Sequence, residues 1–247
     1  MEIMHRERRV QRVRHELRRR EVQVTRVDPI GPGFVGITFA ADSLADFASD
    51  GFDDHVKFMF TDANGELVRR DYTPRRFDRA RRELTIEFAI HGHGGASEWA
   101  RHAEVGQAAV IGGPRGSMIV PTDYDWHLLA GDATALPAIH RRLEELPRDA
   151  HAIVVCQVAD AADRRHFDSA TVARLEPQWV STPDELVAAV GALRLPPGEG
   201  YAWCAGEASA MARLREGLVE KAHPREAMRV AAYWKRGASD YHDELGR

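Results

Sequence analysis

The sequence predicts a two-domain β + α/β chain. An antiparallel β-barrel spans residues 21–123, and an α/β domain with a mostly parallel sheet spans residues 124–247. Three observations predict this. From residue 21 to about residue 122 apolar positions recur with period two, as on half-buried strands. Turn residues separate those runs, Asn64-Gly65 being the strongest hairpin signal. After about residue 124, short apolar runs alternate with helical stripes, the pattern of strands joined by crossover helices.

Residues 1–20, "MEIMHRERRVQRVRHELRRR", form a basic arm. It lacks interleaved aromatics and reads as a solvated helix ahead of the first strand, although a phosphate-binding tail is the alternative. In the barrel half, Val35, Ile37 and Phe39 share one face, as do Val56, Phe58 and Phe60, and Leu84, Ile86, Phe88 and Ile90. The boundary lies near Pro121 to Asp125. "WHLLAG", "AIVVCQV", "YAWCAG" and "MRVAAYW" then read as buried strands. Leu136, Ile139, Leu143 and Leu146 form one helical stripe, and Met211, Leu214 and Leu218 another. "TPDEL" opens a third helix, with Thr182 as N-cap, Pro183 at the first helical position and Glu185 closing a capping box.

Composition narrows the function classes. Apolar residues make up 44% and charged residues 29%, ordinary values for a globular chain, and the net charge of -4 gives no reason to expect nucleic-acid binding. No apolar run approaches the roughly 20 residues that span a bilayer, so no membrane insertion is expected. Cys156 and Cys204 lie in apolar runs and read as buried thiols of a cytoplasmic protein.

Several stretches stand out chemically. "RRDYTPRRFD", residues 69–78, places the ring of Tyr72 and the hydroxyl of Thr73 among arginines. Arg70 and Tyr72 lie two apart and share a strand face. Such a set suits a flat ring with an anionic tail, but a charged edge strand explains it equally well. "HGHGGASEWA", residues 91–100, is a glycine-rich turn into a short helix, whose backbone N–H groups suit a diphosphate. His91 and His93 lack a third ligand at a convincing spacing, so no metal site is assigned. "IGGPRGSM" displays Arg115 on a turn. "LLAGDATALPAI" ends a parallel strand at Gly131, where open α/β sheets bind ligands, and puts Asp132 and Thr134 there as caps or cofactor contacts. "CAGEASAM" repeats the design with Gly206, Glu207 and Ser209. "YWKRG" sets two cations beside Tyr233 and Trp234, which either plug a core or close over a ring system.

Taken in order, "RDYTPR", "HGHGGASEWA", "GGPRGS", "LAGDATALPAI", "CAGEASAMARLR" and "YWKRG" resemble the siderophore-interacting proteins, flavin-dependent ferric-siderophore reductases of the ferredoxin-reductase-like superfamily. The resemblance runs from about residue 20 to 240. It implies an FAD-binding barrel and an NAD(P)H-binding α/β domain. It also implies cofactor contacts at Arg70, Tyr72, Thr73, His91, Gly92, Gly94, Gly95, Ala96, Ser97, Trp99, Asp132, Thr134 and Trp234. Lys57, Arg115, Lys235 and Arg236 match positions where the family is basic, and would receive an anionic ferric siderophore. The electron donor would be NADPH or NADH, with ferredoxin as another candidate. Hard anionic oxygens hold Fe³⁺ more tightly than Fe²⁺, so reduction releases iron. No general acid, covalent nucleophile or resident metal is expected, because FAD would carry the chemistry. A flavoreductase with another acceptor and a non-enzymatic ferric-chelate binding protein are the alternatives.

Overall fold

Period-two alternation becomes a rolled antiparallel sheet in the first half of the chain. The computed structural model describes residues 9–62, 65–90, 95–167, 174–238 and 243–244. The barrel strands are β2 (Arg19–Gly31), β3 (Phe34–Ala40), β4 (Val56–Thr61), β5 (Leu67–Tyr72), β6 (Arg76–Asp78), β7 (Glu83–Ala89) and β8 (Ala108–Gly112). Their order is β5-β4-β8-β2-β3-β7-β6, with antiparallel neighbours throughout. Val68 and Tyr72 of one edge strand and Phe77 of the other pack on the same apolar cluster, so the sheet curls around a single core. The short helix α1 (Gly95–Arg101) plugs that core. Its Trp99 ring lies among Phe39, Phe58, Phe60 and Phe88, with centroids 4.8–6.3 Å away. Each such buried ring contributes about 2–3 kcal/mol through the apolar surface it withdraws from water.

The arm departs from its expected helix. Residues 11–14 form strand β1 (Gln11–Arg14), paired antiparallel with β9 (Gly116–Ile119). Arg9 sits over the Tyr124 ring and pairs with Asp123 and Glu199 of the second half. His15 Nε2 lies 2.8 Å from Ser117 Oγ, which donates to the buried carboxylate of Asp54 at 2.5 Å. Long-range pairing, invisible in a local pattern, fixes this segment. Residues 1–8 lie outside the described residues.

In the second half, strand β10 (Trp126–Gly131) lies centrally, with β11 (His151–Gln157) and β12 (Arg174–Val180) on one side and β13 (Gly200–Glu207) and β14 (Met228–Trp234) on the other. These five are parallel, and a two-residue strand β15 (Asp243–Glu244) adds antiparallel to β14. The connection order reverses between β10 and β13, which makes their carboxyl ends the switch point of the sheet. Helices α3 (Pro183–Ala192) and α4 (Ala208–Glu220) cover one face. Helix α2 (Leu136–Glu145) covers the other and faces the barrel. The stripe residues Leu136, Ile139, Leu143, Met211, Leu214 and Leu218 are all buried as their spacing requires. The capping box forms: Thr182 Oγ1 accepts from Glu185 N at 3.2 Å, and Glu185 Oε2 accepts from Thr182 N at 3.3 Å. Both cysteines are buried, and burial pushes the Cys156 thiol up and the Cys204 thiol up to about 12. They are inert core residues. Among the described residues no helix is long and apolar enough to cross a membrane.

Arginines join the two halves. Arg75 of the barrel forms a two-pronged pair with Glu144 of α2 at 2.7 and 2.9 Å, and lies 3.3 Å from Glu87. Arg165 takes the other Glu87 oxygen at 3.0 Å. Arg141 of α2 donates to Ser49 and to the carbonyl of Pro74 at 2.7–3.0 Å. Asp53 accepts from the Trp203 indole at 3.0 Å and pairs with Arg229 at 2.6 Å.

These buried groups set a pH dependence. Burial lowers the pKa of His127 to about 4, with Arg142 adding to the effect. Burial, then Arg75, lowers that of His140 to about 4. Burial raises that of Asp54 to about 6, against hydrogen bonds from Ser117, Gly51 and Ser49. As pH falls from about 6.5 to 4, the unfolded chain protonates both histidines while the native state does not, and stability is lost. Asp54 acts oppositely, because the native state takes up its proton near pH 6 and the unfolded chain only near pH 4. Two losses against one gain leave stability lower at pH 4.5 than at pH 7.5, by on the order of 3 kcal/mol. Urea unfolding across that range checks this. Asp54→Asn should steepen the acid loss, and a flat or rising profile towards acid would contradict the assignment.

Candidate functional site at the seam of the two halves

The answer to the arginine-fenced Tyr-Thr pair lies where β5 ends against the parallel sheet. Tyr72 is half-buried, its ring centroid 4.4 Å from that of Phe88 and 6.0 Å from that of Phe58. Burial raises its phenol pKa well above the ordinary value, with Arg70 acting the other way. In register, Arg70 stands opposite Phe58 and Tyr72 opposite Val56, so both project to the aromatic side of β4–β5. Thr73 is buried, and its hydroxyl shares a hydrogen bond with the phenol of Tyr233 on β14. That bond crosses from barrel to α/β half and sets the expected residues at their junction.

The second expected segment lies beside the first. A Cβ on Gly95 would meet the Phe60 ring and a Val68 methyl at 3.8 Å, so the first turn of α1 rests against β4 and β5. Ala96 is buried there, and Ser97 Oγ donates to the Ala89 carbonyl at 3.2 Å, tying the helix to the end of β7. Trp99, expected to touch a cofactor, instead fills the barrel core and supports the site from behind. His91, Gly92 and Gly94, with His93, lie outside the described residues.

Across the seam, Asp132 follows β10 and is buried. Its Oδ1 accepts from Thr134 N at 2.9 Å and Thr134 Oγ1 at 2.6 Å. Its Oδ2 accepts from Glu207 N and from the Trp234 indole, each at 2.8 Å. Burial raises its pKa, and those donors oppose the shift. Glu207 caps α4: one oxygen accepts from Ser209 N, Ser209 Oγ and Ala210 N at 2.5–3.2 Å, and the other from Arg236 N at 3.3 Å. Burial works against its ionisation, yet the Ser209 and backbone hydrogen bonds hold its pKa below the ordinary value. Both helix starts at the switch point are thus capped by the chain's own carboxylates.

The four expected substrate cations are dispersed. Lys57 projects to the side of β4 away from Tyr72 and pairs with Asp71 at 2.7 Å. Arg115 is exposed on the turn after Gly113-Pro114, and its carbonyl accepts from His15 N at 2.9 Å. Lys235 and Arg236 are exposed in a turn closed by Ala238 N donating to the Lys235 carbonyl at 3.1 Å. Residue-by-residue reading gave Arg75 no separate part, although it lies within the opening motif. Its partners are the chain's own carboxylates, the nearly buried Glu87 and the exposed Glu144. Glu144 lies off the apolar stripe of α2, and no local pattern in the sequence pairs it with Arg75.

The donor set at the seam fits a flavin dinucleotide. Arg70 offers a cation, Tyr72 a half-exposed ring, Thr73 and Tyr233 hydroxyls, and Trp234 an aromatic plane next to backbone of the switch point.

Comparison with known proteins agrees. Residues 124–237 match the family described as siderophore-interacting protein, and residues 23–69 and 63–118 match the siderophore-interacting FAD-binding domain. The NADPH-dependent ferric-chelate reductase of Escherichia coli is 33% identical over 91% of this chain and 96% of its own length. A siderophore utilization protein from T. fusca has a crystal structure that superposes with a TM-score of 0.89 at 34% identity, covering 94% of this chain and 98% of that one. The ferredoxin reductase in carbazole 1,9a-dioxygenase, 17% identical with a TM-score of 0.67 over 86% of this chain and 68% of its own, shares the fold. Matches to both halves in chain order, and a relative a third identical along nearly its whole length, place this chain in the siderophore-interacting protein family.

Proposed function

We propose that the protein is an FAD-dependent oxidoreductase of the cytoplasm that takes electrons from NADPH or NADH and reduces the iron of ferric siderophores. The observation that carries this reading is the hydrogen bond between Thr73 and Tyr233, which joins the cation–aromatic–hydroxyl strand end to the switch point of the parallel sheet. Arg70 would hold the FAD diphosphate, and Tyr72, Thr73 and the Gly95–Ser97 turn would seat the rest of the cofactor, with Trp234 at the sheet edge. Bound FAD supplies the exchange between an electron pair delivered as hydride and the single electrons that iron accepts, so one hydride reduces two ferric ions. The substrate is a hard anionic chelate, drawn by exposed cations. Lys235 and Arg236 are the best placed, since their turn is held against Glu207. Arg115 and Lys57 contribute less, Lys57 because Asp71 already neutralises it. The self-capped helix starts leave reduced ferredoxin as an alternative donor to a dinucleotide.

Anaerobic stopped-flow mixing tests the proposal. FAD-loaded protein is reduced with NADPH, NADH or reduced ferredoxin, then mixed with ferric siderophores, ferric citrate or a quinone. Flavin reoxidation by the ferric chelates is the expected result. Lys235→Gln with Arg236→Gln should raise KM for an anionic chelate about tenfold, and Lys57→Gln should raise it by less. A protein that cannot be loaded with FAD, or whose reduced flavin reacts with quinone and with no ferric chelate, would overturn the reading.

A further inference from the structure

Asp132 occupies an unusual place. It stands at the switch point, where a doubly wound sheet ordinarily offers backbone N–H groups to an anionic ligand. Here a carboxylate fills that position and consumes them. Its four hydrogen bonds, from Thr134 N, Thr134 Oγ1, Glu207 N and Trp234 Nε1, saturate the acceptor capacity of an ionised carboxylate. The donors come from three places: the turn after β10, the end of β13 and the end of β14. The backbone makes room for it at Gly206, whose φ is +152° and where a Cβ would lie 2.5 Å from Asp132 Oδ2. A side chain at residue 206 would therefore meet both a strained backbone and the carboxylate.

We infer that Asp132 is a positioning residue for the chain that leaves β14, and that it sets the place of the cations Lys235 and Arg236 rather than touching a cofactor itself. The geometry runs in steps. Asp132 fixes the Trp234 indole at 2.8 Å. The next two residues enter the turn that carries the cations, with Gly237 at φ +79°. Glu207, whose own N–H is held by Asp132, accepts from Arg236 N at 3.3 Å. Beyond the turn, Ala231 and Ala232 pair with Glu244 and Asp243, so the returning chain is also held at its far end. Trp234 and Arg236 are thus tied to one carboxylate, directly and through Glu207. Tyr233, the residue before Trp234, meets Thr73 across the seam.

The part of this inference that concerns substrate rests on the reductase reading, and the part that concerns chain position does not. Asp132→Asn replaces an acceptor by an amide N–H₂ that either faces the Glu207 and Trp234 donors or, when flipped, faces those of Thr134. Trp234→Phe keeps an aromatic ring while removing the donor and part of the ring area. Hydrogen exchange of the full chain, with and without FAD, is followed over residues 228–238 and, as an internal reference, over residues 84–89 of the barrel. Both variants should exchange about tenfold faster in the first segment and unchanged in the second. Where the Asn amide N–H₂ faces Glu207 and Trp234, the double variant should be no faster than Asp132→Asn alone, because both changes then break the same bond. With FAD-loaded protein and ferric citrate, KM should rise about tenfold and by more than kcat falls.

Wild-type exchange over residues 228–238 in both single variants would overturn the inference. Faster exchange with an unchanged ferric citrate KM would overturn its substrate part. Should Asp132→Asn fail to fold, Trp234→Phe decides alone. If the wild-type protein reduces no ferric chelate, the reductase reading falls while the exchange comparison still decides the role of Asp132.

Discussion

Arg75→Met is expected to destabilise the protein by about 3 kcal/mol at neutral pH, the low end of the range for removing one partner of a buried ion pair, because Glu87 is nearly buried while Glu144 keeps a third of its exposure. The Arg75 side chain is 5% exposed, and its guanidinium sits among three carboxylate oxygens, two from Glu144 and one from Glu87. Methionine has a similar length but supplies no charge. Arg165 would be left to compensate Glu87, and Arg76, which is mostly exposed, to compensate Glu144. The loss corresponds to a melting temperature roughly 10 °C lower for a chain of this size. A second readout is specific to this residue. After burial, Arg75 is the largest influence keeping the His140 pKa near 4, so the variant should raise it, and an NMR titration of the imidazole would follow that directly. Burial opposes ionisation of Glu144, but Arg75 and then Arg76 hold its pKa down to about 2; removing Arg75 should bring it back up. The Glu144 contribution to stability is present above about pH 4.5 and is lost as pH falls towards 2, so the wild type should lose its advantage over Arg75→Met in strong acid. Glu144→Gln should cost less, because the amide oxygen still accepts. Loss of less than about 1 kcal/mol on equilibrium unfolding of Arg75→Met would show that the pair does not hold the halves together.

That contact also marks how much the sequence discloses. The alternation in Leu84, Ile86 and Phe88 and the stripe of Leu136, Ile139 and Leu143 encode which face is buried, and the structure buries those faces. The capping box at Thr182 is equally local and equally legible. Candidate stretches stand out too, because each motif is a strand end or a glycine turn with its own chemistry. Assignments between segments do not. Residues 11–14 carry no alternation of their own and become a strand only because β9 offers an edge. Arg70, Arg75 and Arg76 look alike in sequence, yet Arg75 is a buried weld, Arg76 its exposed companion, and Arg70 alone points to the aromatic side with Tyr72. Trp99 is a cofactor contact only by resemblance, in a segment that follows a glycine turn. A seven-residue helix places it inward, where four phenylalanine rings take it up.

Arg70→Met is the functional counterpart: it is expected to lower FAD affinity about 10- to 100-fold, while leaving the unfolding transition of the apoprotein nearly unchanged. Arg70 is half-buried, and its Nη1 donates to the carbonyl of its neighbour Arg69 at 2.7 Å. It shares a strand face with Tyr72, near the start of α1, where a diphosphate would have a cation on one side and backbone on the other. Methionine keeps the apolar stem against Phe58 and deletes only that charge. Lys57→Gln supplies the contrast. Lys57 belongs to the same pair of strands but projects to the opposite face, and Asp71 neutralises it, so FAD affinity should not respond to its loss. Titration of the apoproteins with FAD at low and high salt separates the two. The wild type should bind more weakly as salt rises, and Arg70→Met should show a flatter dependence, because it has lost the screened contact. Equal FAD affinities for Arg70→Met and the wild type would mean that the strand face shared by Arg70 and Tyr72 is not where the cofactor's phosphates rest. In that case the charge that holds them must come from outside β5, and the alternation along this strand would sort packing alone, without also sorting the cofactor side of the sheet from the other.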